Sequence, residues 1–177
     1  MRSHRDRTLP NRGQHIDIRP ALWTDAEGIA GIFNHYIAQT VVTFEEQILT
    51  PDDMVERMEA VSSDRLPWLV AERNGEIVGY ANAIKWKERS AYRFSTETSV
   101  YVGVDHTGKG IGTSLYRELI RTLRSMRIRS VFGGILLPND ASQRLHEKLG
   151  FKKVAHFREI GFKFERWIDV EYWQLIL

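Results

Sequence analysis

The residues whose types and spacing could do chemistry lie between Glu97 and His146. Gly108, Gly110 and Gly112 stand in HTGKGIG, directly behind a β-branched and aromatic run, Val100, Tyr101, Val102 and Val104. Directly after them Ile111, Leu115, Leu119 and Leu123 form the apolar stripe of an amphipathic helix. The order is strand, glycine-rich turn, helix. A helix N-terminus carries unpaired N–H groups and about half a positive charge, and glycines let an anion approach the backbone. The pattern points to a phosphate or pyrophosphate held at Gly108–Thr113. A Walker loop needs Lys-Ser or Lys-Thr after its glycines, and a dinucleotide fingerprint needs Gly-x-Gly-x-x-Gly with an acidic residue about 20 positions on. Neither matches glycines separated by single residues; x-x-Gly-x-Gly on a strand-to-helix turn does.

Two titratable side chains flank this stretch. Glu97 lies three residues before Val100 on the same strand, among Thr96, Thr98 and Ser99. A carboxylate there can take an amine proton directly or through water, and burial would raise its pKa towards the useful range. The alternative is an ordinary outward-facing strand glutamate. His146, in LHEKLGF, borders the apolar face of a helix opened by Asn139, where a histidine either packs or moves protons. There is no cysteine, which excludes disulfides, thiolate metal sites and a cysteine nucleophile. His4, His15, His35, His106 and His156 have no metal-ligand spacing, so no metal is expected.

The elements that must position these groups follow in order. Residues 1–14 are basic and nearly free of large apolar groups, and read as a disordered arm or a cloning remnant. One domain is expected over 15–177. Ile16 to Arg19 alternates as a strand, and Thr24 with Glu27 reads as a capping box ahead of the stripe Ile29, Ile32, Phe33, Tyr36 and Ile37. Thr50-Pro51 opens a second helix with Met54, Val55, Met58 and Val61 inside. Pro67 to Arg73, Asn74-Gly75 and Glu76 to Trp86 form a hairpin with a type I′ turn. Ser130 to Leu136 is a strand, Ala141 to Leu149 a short helix closed by Gly150, and Val154 to Ile160 and Trp167 to Leu177 are strands joined by GFKFER. This order is not a plain βαβ repeat. It predicts an α/β fold, a mixed sheet with helices on both faces.

Composition sets the outer bounds. The net charge is +2, from 25 basic and 23 acidic residues, so nothing global indicates nucleic acid. The absence of a long apolar run argues against a membrane span or signal peptide and makes the cytoplasm the expected compartment.

The glycine stretch resembles the pyrophosphate-binding motif of the GCN5-related N-acetyltransferases, and the likeness covers about 15–177. A narrower likeness lies in NHYI (34–37), TFEE (43–46), PWLVAE (67–72), AYRFSTETSVYV (91–102), LPND (137–140), LHEKLGF (145–151) and GFKFERWIDV (161–170). Together and in order these blocks resemble the phosphinothricin and methionine-sulfoximine N-acetyltransferases.

The resemblance implies a mostly antiparallel central sheet and direct transfer of an acetyl group from acetyl-CoA to the α-amino group of a small amino acid. It assigns the pyrophosphate to the amides of Gly108, Lys109, Gly110, Ile111, Gly112 and Thr113. It pairs the pantetheine arm with Val100, Tyr101 and Val102, and has Asn139 hydrogen-bond the cofactor. Thr107 stands where the superfamily usually has Arg or Gln. Glu97 becomes the leading base, and His146 matches a histidine proposed in the family to move protons. Tyr92 and Arg93 would receive the substrate's carboxylate, Arg as a bidentate clamp, with Lys85, Lys87 and Arg89 adding positive potential. Phe44 and Lys163 are candidates for the pocket rim. The likeness and the aromatic C-terminal strand imply a homodimer. Two other readings stand beside this one: acetylation of another amine, such as a polyamine or a peptide N-terminus, and a non-catalytic CoA-binding module. An acidic pocket would favour a polyamine; a pure binder needs neither Glu97 nor His146.

Overall fold

The computed structural model describes residues 16–177; the basic segment 1–14 lies outside the described residues. Seven strands form one sheet: β1 (Asp17–Pro20), β2 (Trp68–Arg73), β3 (Glu76–Lys85), β4 (Ser95–Val102), β5 (Ser130–Leu136), β6 (Lys152–Lys163) and β7 (Arg166–Ile176). Their spatial order is β1-β2-β3-β4-β5-β7-β6, and among the described residues β4 with β5 is the one parallel pair. Helices α1 (Ala26–Gln39) and α2 (Pro51–Ser63) cover one face, α3 (Ile111–Ser125) the other, and α4 (Asp140–Lys148) stands beside β5.

The two faces have separate cores. On the α3 side Ile111, Leu115, Leu119 and Leu123 are buried against Ala71, Ala81, Val131 and Ile135, each large side chain contributing about 1.5–3 kcal/mol. On the α1 side Ile29, Phe33 and Ile37 meet Met54, Met58, Val70 and Tyr80. Small alanines in β2 and β3 let α3 sit close to the sheet and fix where its N-terminus emerges.

Local signals explain most boundaries. Asn74 and Gly75 have φ of 54° and 83°, as the type I′ turn requires. Thr50 accepts from the Asp53 amide while Asp53 accepts from the Thr50 amide, a capping box ahead of Pro51. The expected Thr24–Glu27 box does not form. Asp25 instead accepts from the Leu22 amide and is held by Arg19, which also binds Glu72 of β2. That ion-pair network converts residues 23–25 into a 3₁₀ turn ahead of α1. Val104 lies outside β4, half-exposed in a second short turn. GFKFER is not a loop: β6 runs to Lys163 and β7 starts at Arg166, around Phe164 and Glu165 with φ of 49° and 57°. No glycine marks that turn. Trp173 is buried, whereas Trp167 is 61% exposed.

Candidate active site

β4 and β5 are paired only through Ser95–Ser130, Thr96–Val131 and Glu97–Phe132. Beyond that point β4 continues to Val102 paired with β3 alone, and β5 continues to Leu136 paired with β7 alone. Where the ladder stops, the Thr98 hydroxyl lies 3.0 Å from the Phe132 carbonyl. The strands then separate around a cleft of about 570 Å³ that runs from Thr98 past Val100 and Val102 to the glycine turn, with α4 as its other wall. An open strand edge offers unpaired backbone donors and acceptors to an extended ligand.

At the cleft's far end Gly108 and Gly110 have φ of 72° and 81°, and Gly110 is the N-cap of α3. A Cβ at either would meet nothing within 4 Å, so the glycines are required by backbone conformation rather than by crowding. Gly108, Gly110, Ile111, Gly112 and Thr113 all line the cleft. The amides at the first turn of α3 are therefore free to hold a diphosphate. Lys109 points elsewhere, its Nζ donating to the Asp105 carbonyl at 2.6 Å. Tyr101 packs its ring among Phe33, Tyr36 and Tyr80, on the face opposite Val100 and Val102, so the open edge there is backbone. Asn139 is the N-cap of α4, its Oδ1 accepting from the Ser142 amide at 3.1 Å. That leaves its side-chain amide on the cleft wall.

His146 is 3% exposed and lies on the α3 side of the sheet. Nδ1 is 2.8 Å from the Ser142 carbonyl, which can only accept, so Nδ1 carries a proton. Nε2 is 3.1 Å from the Tyr116 hydroxyl, which in turn is 2.8 Å from Thr98 Oγ1. Burial lowers the His146 pKa and raises that of Tyr116, so both are neutral at pH 7.

Glu97 lies on the other face. Its Oε1 is 3.4 Å from the Tyr172 hydroxyl, and burial raises its pKa above the ordinary carboxylate value. Burial, helped by the adjacent carboxylate, pushes the Tyr172 pKa up to about 12. Trp86, stacked on Phe132 at 4.3 Å, and Phe157, edge-on to Tyr172, complete an aromatic surface around this carboxylate. The two candidate groups are brought to opposite faces of consecutive residues. A Cβ on Gly133 would lie 2.2 Å from His146 Nε2, and one on Gly134 would lie 3.1 Å from Glu97 Oε1.

Tyr92 and Arg93 are not brought into the cleft. They form a short turn between β3 and β4, Arg93 donating to the Ser90 carbonyl and covering the Phe94 ring. Lys85 is paired with Asp64, and the Lys87 ammonium sits over Trp86. Phe44 packs its ring on Gly161. Thr98, Tyr116, Tyr172 and the Gly133-Gly134 pair went unmarked by sequence reasoning. Only the Gly-Gly dipeptide inside a strand pattern was a visible signal, for a close approach.

Comparison with known proteins bears directly on this arrangement. The acetyltransferase (GNAT) family profile matches residues 29–151, which span the open β4 edge, the glycine turn and His146. This chain belongs to that family. The acetyltransferase is 40% identical over 159 residues to a phosphinothricin N-acetyltransferase of Streptomyces viridochromogenes, covering 90% of this chain and 86% of that protein. It is 36% identical to an L-methionine sulfoximine/L-methionine sulfone acetyltransferase of Salmonella typhimurium, covering 92% of this chain and 95% of that one. A crystal structure of a GNAT superfamily phosphinothricin acetyltransferase from Sinorhizobium meliloti in complex with acetyl-CoA superposes with a TM-score of 0.88 at 31% identity, over 92% of this chain and 88% of that chain. Among the described residues no group of three His, Cys, Asp or Glu could hold a metal, and no helix is long and apolar enough to cross a membrane.

Proposed function

We propose that this acetyltransferase moves the acetyl group of acetyl-CoA to the α-amino group of a small amino acid of the phosphinothricin or methionine sulfoximine/sulfone type, by direct transfer in a ternary complex. The observation that carries the cofactor is the separation of β4 from β5 after Glu97 and Phe132, with free helix-terminal amides at its far end. The residues present fit the group: an open strand edge for an extended amide-bearing arm, and Gly108 and Gly110 in left-handed conformations around a diphosphate cradle. Arg144 and Lys148 of α4 also line the cleft and supply positive charge for a further phosphate. The amino-acid class rests on the named relatives.

The chemistry divides between the two faces. In forming an amide the substrate ammonium gives up two protons, one to solvent and one to the departing sulfur. Glu97 is assigned the first, passing it to water, because its carboxylate faces the aromatic surface on the acceptor side. Loss of that proton frees the nitrogen lone pair. The C–N bond then forms as the C–S bond breaks, and the electron pair goes to sulfur. The second proton belongs to the Tyr116–His146 chain: Nε2 has a lone pair at rest, takes a proton through Tyr116, and returns it to the thiolate.

Tyr92 and Arg93, in the turn that leads into β4 ahead of Glu97, are proposed to receive the substrate carboxylate. The exposed tip of the β6–β7 hairpin, with Phe162, Phe164 and Trp167 each more than half exposed, is read as the homodimer surface, and the enzyme as cytoplasmic.

The test is CoA thiol release from acetyl-CoA by the purified protein, across phosphinothricin, methionine sulfoximine, methionine sulfone, glutamate, spermidine and a short peptide. Release with the first three alone is the expected outcome. Release with spermidine or the peptide keeps the enzyme class and removes the substrate assignment.

A further inference from the structure

We propose that Lys163 is a positioning residue for acceptor binding: its buried ammonium holds the Thr43 carbonyl and so fixes the α1–α2 loop, Phe44 included, as a wall of the acceptor side. The inference rests on the acetyl-transfer reading, which supplies the acceptor.

Lys163 ends β6 and is 2% exposed, yet its Nζ reaches across 120 positions of sequence to donate to the Thr43 carbonyl at 2.8 Å. An ammonium out of water is unfavourable unless paired, and an apolar side chain would fill the same space without that cost. Its ammonium sits over the Phe164 ring, and Glu46 and the Arg57-paired Glu45, both of the same loop, favour its charge from a distance. Thr43 is held from a further direction: its hydroxyl accepts from the Glu45 amide. On one side of Thr43, Val42 lines the cleft; on the other, Phe44 leaves the loop at 39% exposure.

The second anchor comes from the same strand. Gly161 stands two positions before Lys163, hence on the same face of β6. A Cβ there would lie 2.0 Å from the Phe44 ring. β6 therefore grips the loop twice, by a hydrogen bond at Thr43 and by an absent side chain under Phe44. Farther along β6, Phe157 packs on Tyr172, which hydrogen-bonds Glu97. A shift of the loop would displace the acceptor relative to Glu97 while leaving the glycine turn untouched.

The test uses the full chain carrying Lys163→Met and, separately, Gly161→Ala, which dislodges Phe44 without removing a charge. The expected result for both is an acceptor KM raised about tenfold, with the acetyl-CoA KM changed less than about twofold. Faster hydrogen exchange at the Glu45 amide is expected in Lys163→Met. An unchanged acceptor KM in the folded variants, or a parallel rise of both KM values, overturns the proposal. If Lys163→Met gives no cooperative melt, Gly161→Ala decides by the same criterion. If the wild-type protein turns over no acceptor, the acetyl-transfer reading fails on its own. Exchange at Glu45 then decides the clamp: faster in Lys163→Met sustains it, unchanged overturns it.

Discussion

The Tyr116 hydroxyl bridges His146 Nε2 at 3.1 Å and Thr98 Oγ1 at 2.8 Å, in the buried wall of the cleft. With Nδ1–H fixed on the Ser142 carbonyl, the chain has two polarities. Neutral His146 accepts from Tyr116, which accepts from Thr98. Protonated His146 donates to Tyr116, which donates to Thr98, whose hydroxyl then turns to the Phe132 carbonyl. Tyr116→Phe keeps the ring and cuts the chain. It is expected to cost about 1–3 kcal/mol in urea unfolding, from unsatisfied partners, and to lower kcat by about 10²-fold. His146→Ala should lower kcat similarly, and the double variant should be no worse than the poorer single one, because the two act as a unit. Additive losses would show that they act separately.

Burial that lowers the His146 pKa has a stability consequence. The unfolded chain takes up the imidazole proton near pH 6.5, while the folded chain resists until lower pH. Between those values the unfolded state binds more protons, so stability falls as pH drops below about 6.5. Replacing His146 by Gln should flatten this part of the Tm–pH curve. An unchanged slope would assign the acid sensitivity to other groups.

Glu97 has the opposite sign. Its folded pKa is raised by burial, so ionisation opposes folding as pH rises from the unfolded value towards the folded one, and the penalty persists at neutral pH. Glu97→Gln should therefore melt at a higher temperature than the wild type at pH 7.5, with the gap closing towards pH 4. The same change should lower kcat by about 10²–10⁴-fold if the carboxylate is the base. A stabilised variant that keeps full activity would remove Glu97 from the mechanism.

Gly133 and Gly134 separate two requirements that sequence alone merges. Neither has a positive φ, so alanine is conformationally acceptable at both. At Gly133 the new methyl would collide with the buried imidazole at 2.2 Å, and overpacking of about 1–3 kcal/mol is expected together with lost activity. At Gly134 it would press on Glu97 Oε1 at 3.1 Å, where the carboxylate can give way. Gly134→Ala should therefore fold normally, with a Tm close to the wild type, and lose kcat. Thermal melts beside kinetics on both variants check the contrast.

What was legible in the chain follows from the range of the interactions. The glycine turn, the Asn74-Gly75 hairpin, the stripe of α3 and the Asn139 cap are decided within a few residues, and all stand where local pattern put them. The Thr24–Glu27 box failed because Arg19, itself held by Glu72 53 residues away, takes Asp25 into an ion pair that the capping pattern does not contain. The divergence of β4 from β5 is likewise non-local: it depends on a parallel ladder ending at Phe132, and Thr98 and Tyr116 acquire meaning only once α3 is laid on the sheet. Tyr92 and Arg93, assigned to the substrate from their sequence proximity to Glu97, lie in the turn ahead of β4, outside the cofactor cleft.

Asn139 combines a cap and a candidate ligand donor in one side chain, and its two ends can be tested apart. Its Oδ1 accepts from the Ser142 amide, so removing it frays the start of the helix that carries His146. Asn139→Ala is expected to cost about 0.5–2 kcal/mol of stability. Asn139→Asp retains the acceptor and adds a charge favourable to the helix N-terminus, so its stability should match or exceed that of the wild type. It also replaces the amide donor on the cleft wall by a carboxylate. If that donor holds the cofactor, Asn139→Asp should raise the acetyl-CoA KM by about tenfold or more without lowering the Tm. Unfolding curves and acetyl-CoA titrations of the two variants check this, and an aspartate variant with unchanged KM would leave Asn139 as a helix cap alone.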